Sequence, residues 1–166
     1  MFSVAVRILI DIHGSSAVSN WIDKLRSDRE TQKAQERREQ EWQLHCAELI
    51  RAKAPDLWAA LVEQIASDVR EINATIHGVS LEFNDHNSKT HFDVSNPSLQ
   101  RNFSAYWRPD ISEVGLEFRN RPDPLSSVHS IKDQIGFAVV GQDVHPRYGG
   151  FCTISSISEW LIKRIL

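Results

Sequence analysis

Trp58, Leu61, Val62, Ile65, Val69, Ile72 and Ile76 recur at intervals of three and four, the spacing that collects one face of an α-helix. This is the sharpest periodicity in the chain. It predicts a core helix over 55–77, opened by Pro55 and stopped at His77-Gly78. Upstream, Trp21, Ile22 and Leu25 begin a helical pattern that meets no breaker before Ala54, and Trp42, Cys46, Leu49 and Ile50 restore an apolar stripe near its end. Ala54-Pro55 marks a kink or a new start, because proline suits a first helical turn and not an interior. Residues 15–54 are thus expected to form an N-terminal helical arm. Phe2 to Ile12 alternate with period two, as a strand does, although Val6, Leu9 and Ile10 also fit a helix, so the structure of 1–14 stays open.

Beyond Gly78 the period becomes two. Val79, Leu81 and Phe83, then Phe92 and Val94, form a hairpin pattern around Asn87-Ser88. With that turn, Phe83 faces Phe92, Leu81 faces Val94, Glu82 faces Asp93 and Asn84 faces His91. A second hairpin, Arg101 to Arg108 and Glu113 to Arg119 around Pro109-Asp110-Ile111-Ser112, sets Trp107 against Val114, Ala105 against Leu116 and Phe103 against Phe118. On its other face Arg108 meets Glu113 and Tyr106 covers Gly115, offsetting the weakness of a strand glycine.

Residues 120–135 resist assignment, since Pro122 and Pro124 break regular structure while Leu125, Val128 and Ile131 fit either a helix or a strand. A third hairpin is expected from Phe137, Val139 and Val140 with Gly150 to Ile154, joined by a loop from Gln142 to Gly149. Ser156 and Glu159 have the spacing of a capping box, and Ile157, Trp160, Leu161 and Ile165 give a final helix over 156–166 its apolar face.

These elements add up to a single α+β domain over 1–166. A long kinked N-terminal helical region packs on an antiparallel sheet of about five to seven strands within 78–154, and a short C-terminal helix packs back on it.

Composition narrows the function classes. The 166 residues, 41% of them hydrophobic, can build a core without disulfide or metal staples. Nineteen Lys and Arg against 22 Asp and Glu leave a net charge of −3, so nucleic acid is a disfavoured partner. Tyr106 and Trp107 lie among Arg101, Arg108, Arg119 and Arg121 as a stacking surface would, but the alternation turns Trp107 inward. Cys46 and Cys152 stand far apart in apolar patterns, as buried free thiols. The sequence shows neither an uninterrupted signal-type apolar run nor an 18-residue membrane span, which points to a soluble cytoplasmic protein with no membrane partner.

Between Asp23 and Glu41 lie six cations (Lys24, Arg26, Arg29, Lys33, Arg37, Arg38) and six anions (Asp23, Asp28, Glu30, Glu36, Glu39, Glu41), with hardly an apolar residue. Either this is a solvated helical arm held by its ends, or it is a surface for a partner or a second copy. Heptad apolar positions are missing, which weighs against the latter.

Candidate chemistry is sparse. No phosphate loop, nucleophile elbow, HExxH or CxxC occurs, so the chain leans away from an enzyme, and no cofactor is called for. On the polar side of the first hairpin, Glu82, His91 and Asp93 have the residue types of an acid/base pair or of hard metal ligands. The competing reading is an open polar face neutralised by Arg108, Arg119 or solvent. Asp85, His86 and His91 form a weaker metal-type group near the hairpin tip, where such residues are turn formers first. In the loop expected after Val140, Asp143, His145 and Arg147 are weak catalytic candidates, His145 serving as acid/base held by Asp143.

The reading best supported is an interaction module, contacting a protein partner or itself through the charged helix and the polar sheet face with Glu82, His91, Asp93, Tyr106 and Arg108. The alternative is a small-ligand binder or modest hydrolase with a cleft between helix and sheet.

Overall fold

The computed structural model describes residues 14–87, 89–120, 129–150 and 152–166. The strand expected over Phe2–Ile12 and residues 121–128 of the unassigned stretch 120–135 lie outside them. The chain divides into two compact units, Met1–Leu44 and His45–Leu166. Helix α1, Gly14–Thr75, runs through both. In the first unit it is its own only described element, and residues 20–44 are exposed along the whole run.

The second unit holds the core. There α1 runs through Pro55 as one helix, so of the kink or new start expected there the new start does not occur. A proline removes one backbone donor and crowds the preceding turn; continuity follows from the apolar face that spans it, with Ala54 on one side and Trp58 and Leu61 on the other all buried. Trp58, Leu61, Ile65 and Val69 point into the sheet, Val62 and Ile72 flank them, and Ile76 is exposed at the end of the stripe. The chain leaves the helix through Gly78, whose φ of +86° lies in the left-handed region that glycine enters freely. Asn73 then clamps the incoming strand, its amide donating to the Leu81 carbonyl and its oxygen accepting from the Leu81 N–H, both at 2.8 Å.

Six antiparallel strands follow: β1 (Glu82–Asn87), β2 (His91–Asn96), β3 (Arg101–Arg108), β4 (Glu113–Asn120), β5 (His129–Val140) and β6 (Asp143–Arg147). They lie side by side in chain order as a meander. With the long helix and the short C-terminal helix α2 (Ile154–Lys163), they make an α+β fold.

The β3–β4 register is the expected one throughout, from Phe103 opposite Phe118 to Arg108 opposite Glu113. In β1–β2 the register is displaced by two residues. Phe83 pairs with Val94, Asn84 with Asp93 and Glu82 with Ser95, and a bulge between Asp85 and Asn87 leaves His86 as the extra residue. A two-residue slip preserves faces, so Phe83 and Phe92 still stack, with ring centroids 5.5 Å apart.

The third hairpin differs more. β5 pairs with Asp143–Arg147, not with Gly150–Ile154, and the expected loop is a strand in which Val144 and Pro146 are buried and Asp143, His145 and Arg147 exposed. Pro146 fits because β6 is an edge strand, where one donor row has no neighbour to reach. Helix α2 also starts earlier than expected: Thr153 is the N-cap, and the capping box joins Thr153 to Ser156 instead of Ser156 to Glu159.

Aromatic rings tie the layers together. Trp58 meets Phe92 at 5.3 Å, Phe92 meets Phe103 edge-on at 6.1 Å, and Phe118 meets Trp160 of α2 at 5.6 Å. The two helices join through Ser158, wholly buried, which donates to Asp68 at 2.6 Å. Cys46 and Cys152 are free thiols, half-buried where full burial was expected.

Candidate functional site

With helices packed on the apolar side of the sheet, the residues of opposite parity form its outer face. Cross-strand pairing sets His91 against Tyr106, Asp93 against Ser104, and Ser104 in turn against Glu117. Two networks result, and the hydrogen bonds of both run from strand to strand.

The first centres on Asp93. Its Oδ2 lies 2.6 Å from His86 Nε2 and its Oδ1 3.2 Å from His91 Nε2, so one carboxylate accepts from two imidazoles. The rings stack in a row, His86 on His91 at 4.8 Å and His91 on Tyr106 at 5.0 Å. Partial burial alone would raise the Asp93 pKa. The Ser104 hydroxyl, the His86 hydrogen bond and the charges of His91 and His86 outweigh that and hold it below the usual carboxylate value.

The second centres on Glu117, which accepts from the Tyr106 hydroxyl at 2.7 Å, Arg119 at 3.1 Å and Ser130 at 2.8 Å. These donors, Tyr106 foremost, bring its pKa down to about 2. In return, burial first and then the Glu117 carboxylate raise the pKa of Tyr106.

Of the residues singled out from sequence, His91, Asp93 and Tyr106 come together in this face. Glu82 stands apart from Asp93, beside Ser95 at 3.5 Å, so the expected carboxylate pair is not formed. Tyr106 pairs with Gly115 as expected, and the exposed Arg108 also lies over that glycine, where a Cβ would meet its Nη2 at 2.9 Å. Asp85, expected beside the two histidines, pairs with Phe92 on the other side of the sheet. Trp107 is buried, as the alternation required, and is unavailable for outward stacking.

Asp143, His145 and Arg147 occupy alternate positions on β6. Asp143 is engaged by Lys53 of α1 at 3.3 Å, and Lys53 also donates to the Gln142 carbonyl at 2.9 Å. Among the described residues no hydrogen bond joins Asp143 to His145.

Ser104 and Ser130 were missed as members of the face, and His86, grouped from sequence with Asp85 and His91, was not connected to Asp93. Glu117 and Ser104 were legible, since the correct β3–β4 register already placed them opposite one another. The contact of His86 with Asp93 was not, because it depends on a bulge.

A cleft of about 550 Å³ does lie between α1 and the sheet, lined by Trp58, Val62, Ala66, Phe83 and Trp107 with Glu63, Asp85 and Lys89 among its charged groups. It opens on the apolar side, away from both trios proposed from sequence. On the outer face a smaller depression of about 330 Å³ borders Tyr106, Arg108, Glu117 and Lys132. Among the described residues no helix is long and apolar enough to cross a membrane. No protein-family model, curated protein or solved structure matches the chain.

Proposed function

We propose that the chain is a non-enzymatic interaction module whose main recognition surface is the outer face of the sheet, centred on His91, Asp93, Tyr106 and Arg108, with the charged helix Asp23–Glu41 as a second contact surface for a protein partner or another copy. The observation that carries this reading is the pre-paired state of the outer face. Tyr106 is fixed by Glu117 and by stacking on His91, and Arg108 lies along Gly115. Tyrosine and arginine are the residue types enriched where interfaces bind most strongly, and side chains ordered beforehand lose less entropy on association. Glu82, at the margin of the face, belongs to its polar rim. The two free thiols accord with a reducing, cytoplasmic setting.

The test is affinity capture with the intact chain, alongside light-scattering mass over a range of concentrations. A partner or a self-associated species seen with the wild type should weaken at least tenfold in the double variant Tyr106→Ala, Arg108→Glu. A monomer that captures nothing would refute the proposal, as would association untouched by that variant and by Lys33→Glu with Arg37→Glu.

The cleft beneath β1 supports a second reading, a binder of small apolar ligands, since its volume lies within the range of ligand pockets. Its lining then replaces the Glu82 and His145 trios as the candidate binding residues.

A further inference from the structure

We infer that His86, His91 and Asp93 form a binding site for a divalent transition-metal ion of the zinc class. The donor atoms of the three side chains all lie within 4.8 Å of one another. Two imidazole nitrogens with one carboxylate is a donor set that binds zinc and its first-row neighbours while keeping at least one position open, whereas calcium and magnesium prefer all-oxygen shells.

The backbone explains why the donors converge. The bulge at His86 adds a residue to β1, and the His86 ring comes to lie on that of His91 at an interplanar angle of 20°. Both Nε2 atoms then face the same carboxylate, which comes from the same strand as His91, two residues on.

The distances suit an ion. Ligands at about 2.0–2.2 Å in a tetrahedral arrangement stand about 3.3 Å from one another. The His91–Asp93 separation of 3.2 Å already matches. His86 lies against the other carboxylate oxygen, 2.6 Å from Oδ2, so it must draw back and turn toward Oδ1 to share an ion with His91. The His86 side chain, which is 51% exposed, has room for that turn.

Support around the ligands is also present. Ser104 stands opposite Asp93 in the ladder, and Tyr106 stands opposite His91 and stacks on it, so two of the three are flanked by neighbours that are not themselves ligands. The exposure of His86 leaves the remaining coordination position facing solvent, where water or a donor from another molecule completes the shell. This inference does not depend on the outer face binding a protein partner.

The experiment is calorimetric titration of the intact, tag-free chain with Zn²⁺, and titration with Co²⁺ followed by its visible absorption. The wild type is expected to take up one equivalent at micromolar affinity or tighter, with cobalt bands of a coordination number below six. His86→Gln and His91→Gln should each weaken binding at least tenfold, and His145→Gln should leave it unchanged. Absence of binding up to millimolar metal would overturn the inference, and so would equal affinity in the His86→Gln protein. Should His91→Gln fail to fold, as circular dichroism would reveal, the exposed His86 position alone decides.

Discussion

Glu117→Gln gives the most exacting test of the outer face, because its effect is tied to pH. Glu117 is 17% exposed and accepts from three donors, one of them the cation Arg119. Its pKa falls from 4.5 to about 2 on folding. A carboxyl whose folded pKa is depressed adds stability that is fully present above its unfolded pKa and is lost as pH falls through the folded one. The window is therefore pH 4.5 down to about 2. Unscreened, such a change corresponds to about 3 kcal/mol. Arg119 is 50% exposed, and solvent screening of that pair reduces the expectation to about 1–2 kcal/mol.

Glutamine keeps the shape and can still accept from two of the donors, so the variant isolates the charge. Urea unfolding at pH 7, 4 and 2.5 should show the wild type about 1–2 kcal/mol more stable at pH 7, with the gap closing toward zero at the lowest pH. Other carboxyls titrate equally in both proteins and cancel in the difference. A gap that stays constant with pH, or a variant as stable as the wild type at pH 7, would refute the assignment of Glu117 as the charged centre of the network.

The helix–sheet packing and its clamp can be tested in the same urea assay. Ile65→Ala removes a wholly buried side chain and should cost about 2–5 kcal/mol, while Ile76→Ala, at the exposed end of the same stripe, should stay within about 0.5 kcal/mol. Asn73→Ala leaves the Leu81 N–H and carbonyl without their partner and should cost about 1–3 kcal/mol.

How much of this was legible depended on what each pattern constrains. In β3–β4 a four-residue turn is bounded on both sides by alternating residues, so face and offset were fixed together and every pair could be read. In β1–β2 the alternation fixed only the face, and offsets two residues apart satisfy it equally. The bulge that chooses between them is a backbone event with no residue signature at His86, and with it went the membership of the Asp93 cluster. In β6 the period-two pattern Asp143-Val144-His145-Pro146-Arg147 was present, but the proline and neighbouring glycines favoured a loop until an edge position accommodated them. At Pro55 the helix does not restart, the proline's local penalty being outweighed by the apolar residues on either side.

The meander has a kinetic consequence. All five ladders join strands that follow one another along the chain, so no long loop must be closed before a neighbour is met. Domains built from such local pairings cross their barriers faster than sheets whose partners are remote in sequence. Assembly can advance by zippering, one hairpin templating the next, and the chief remaining long-distance events are the seating of Leu161 and its neighbours from the chain's end and the docking of the Ile65 face against the finished layer.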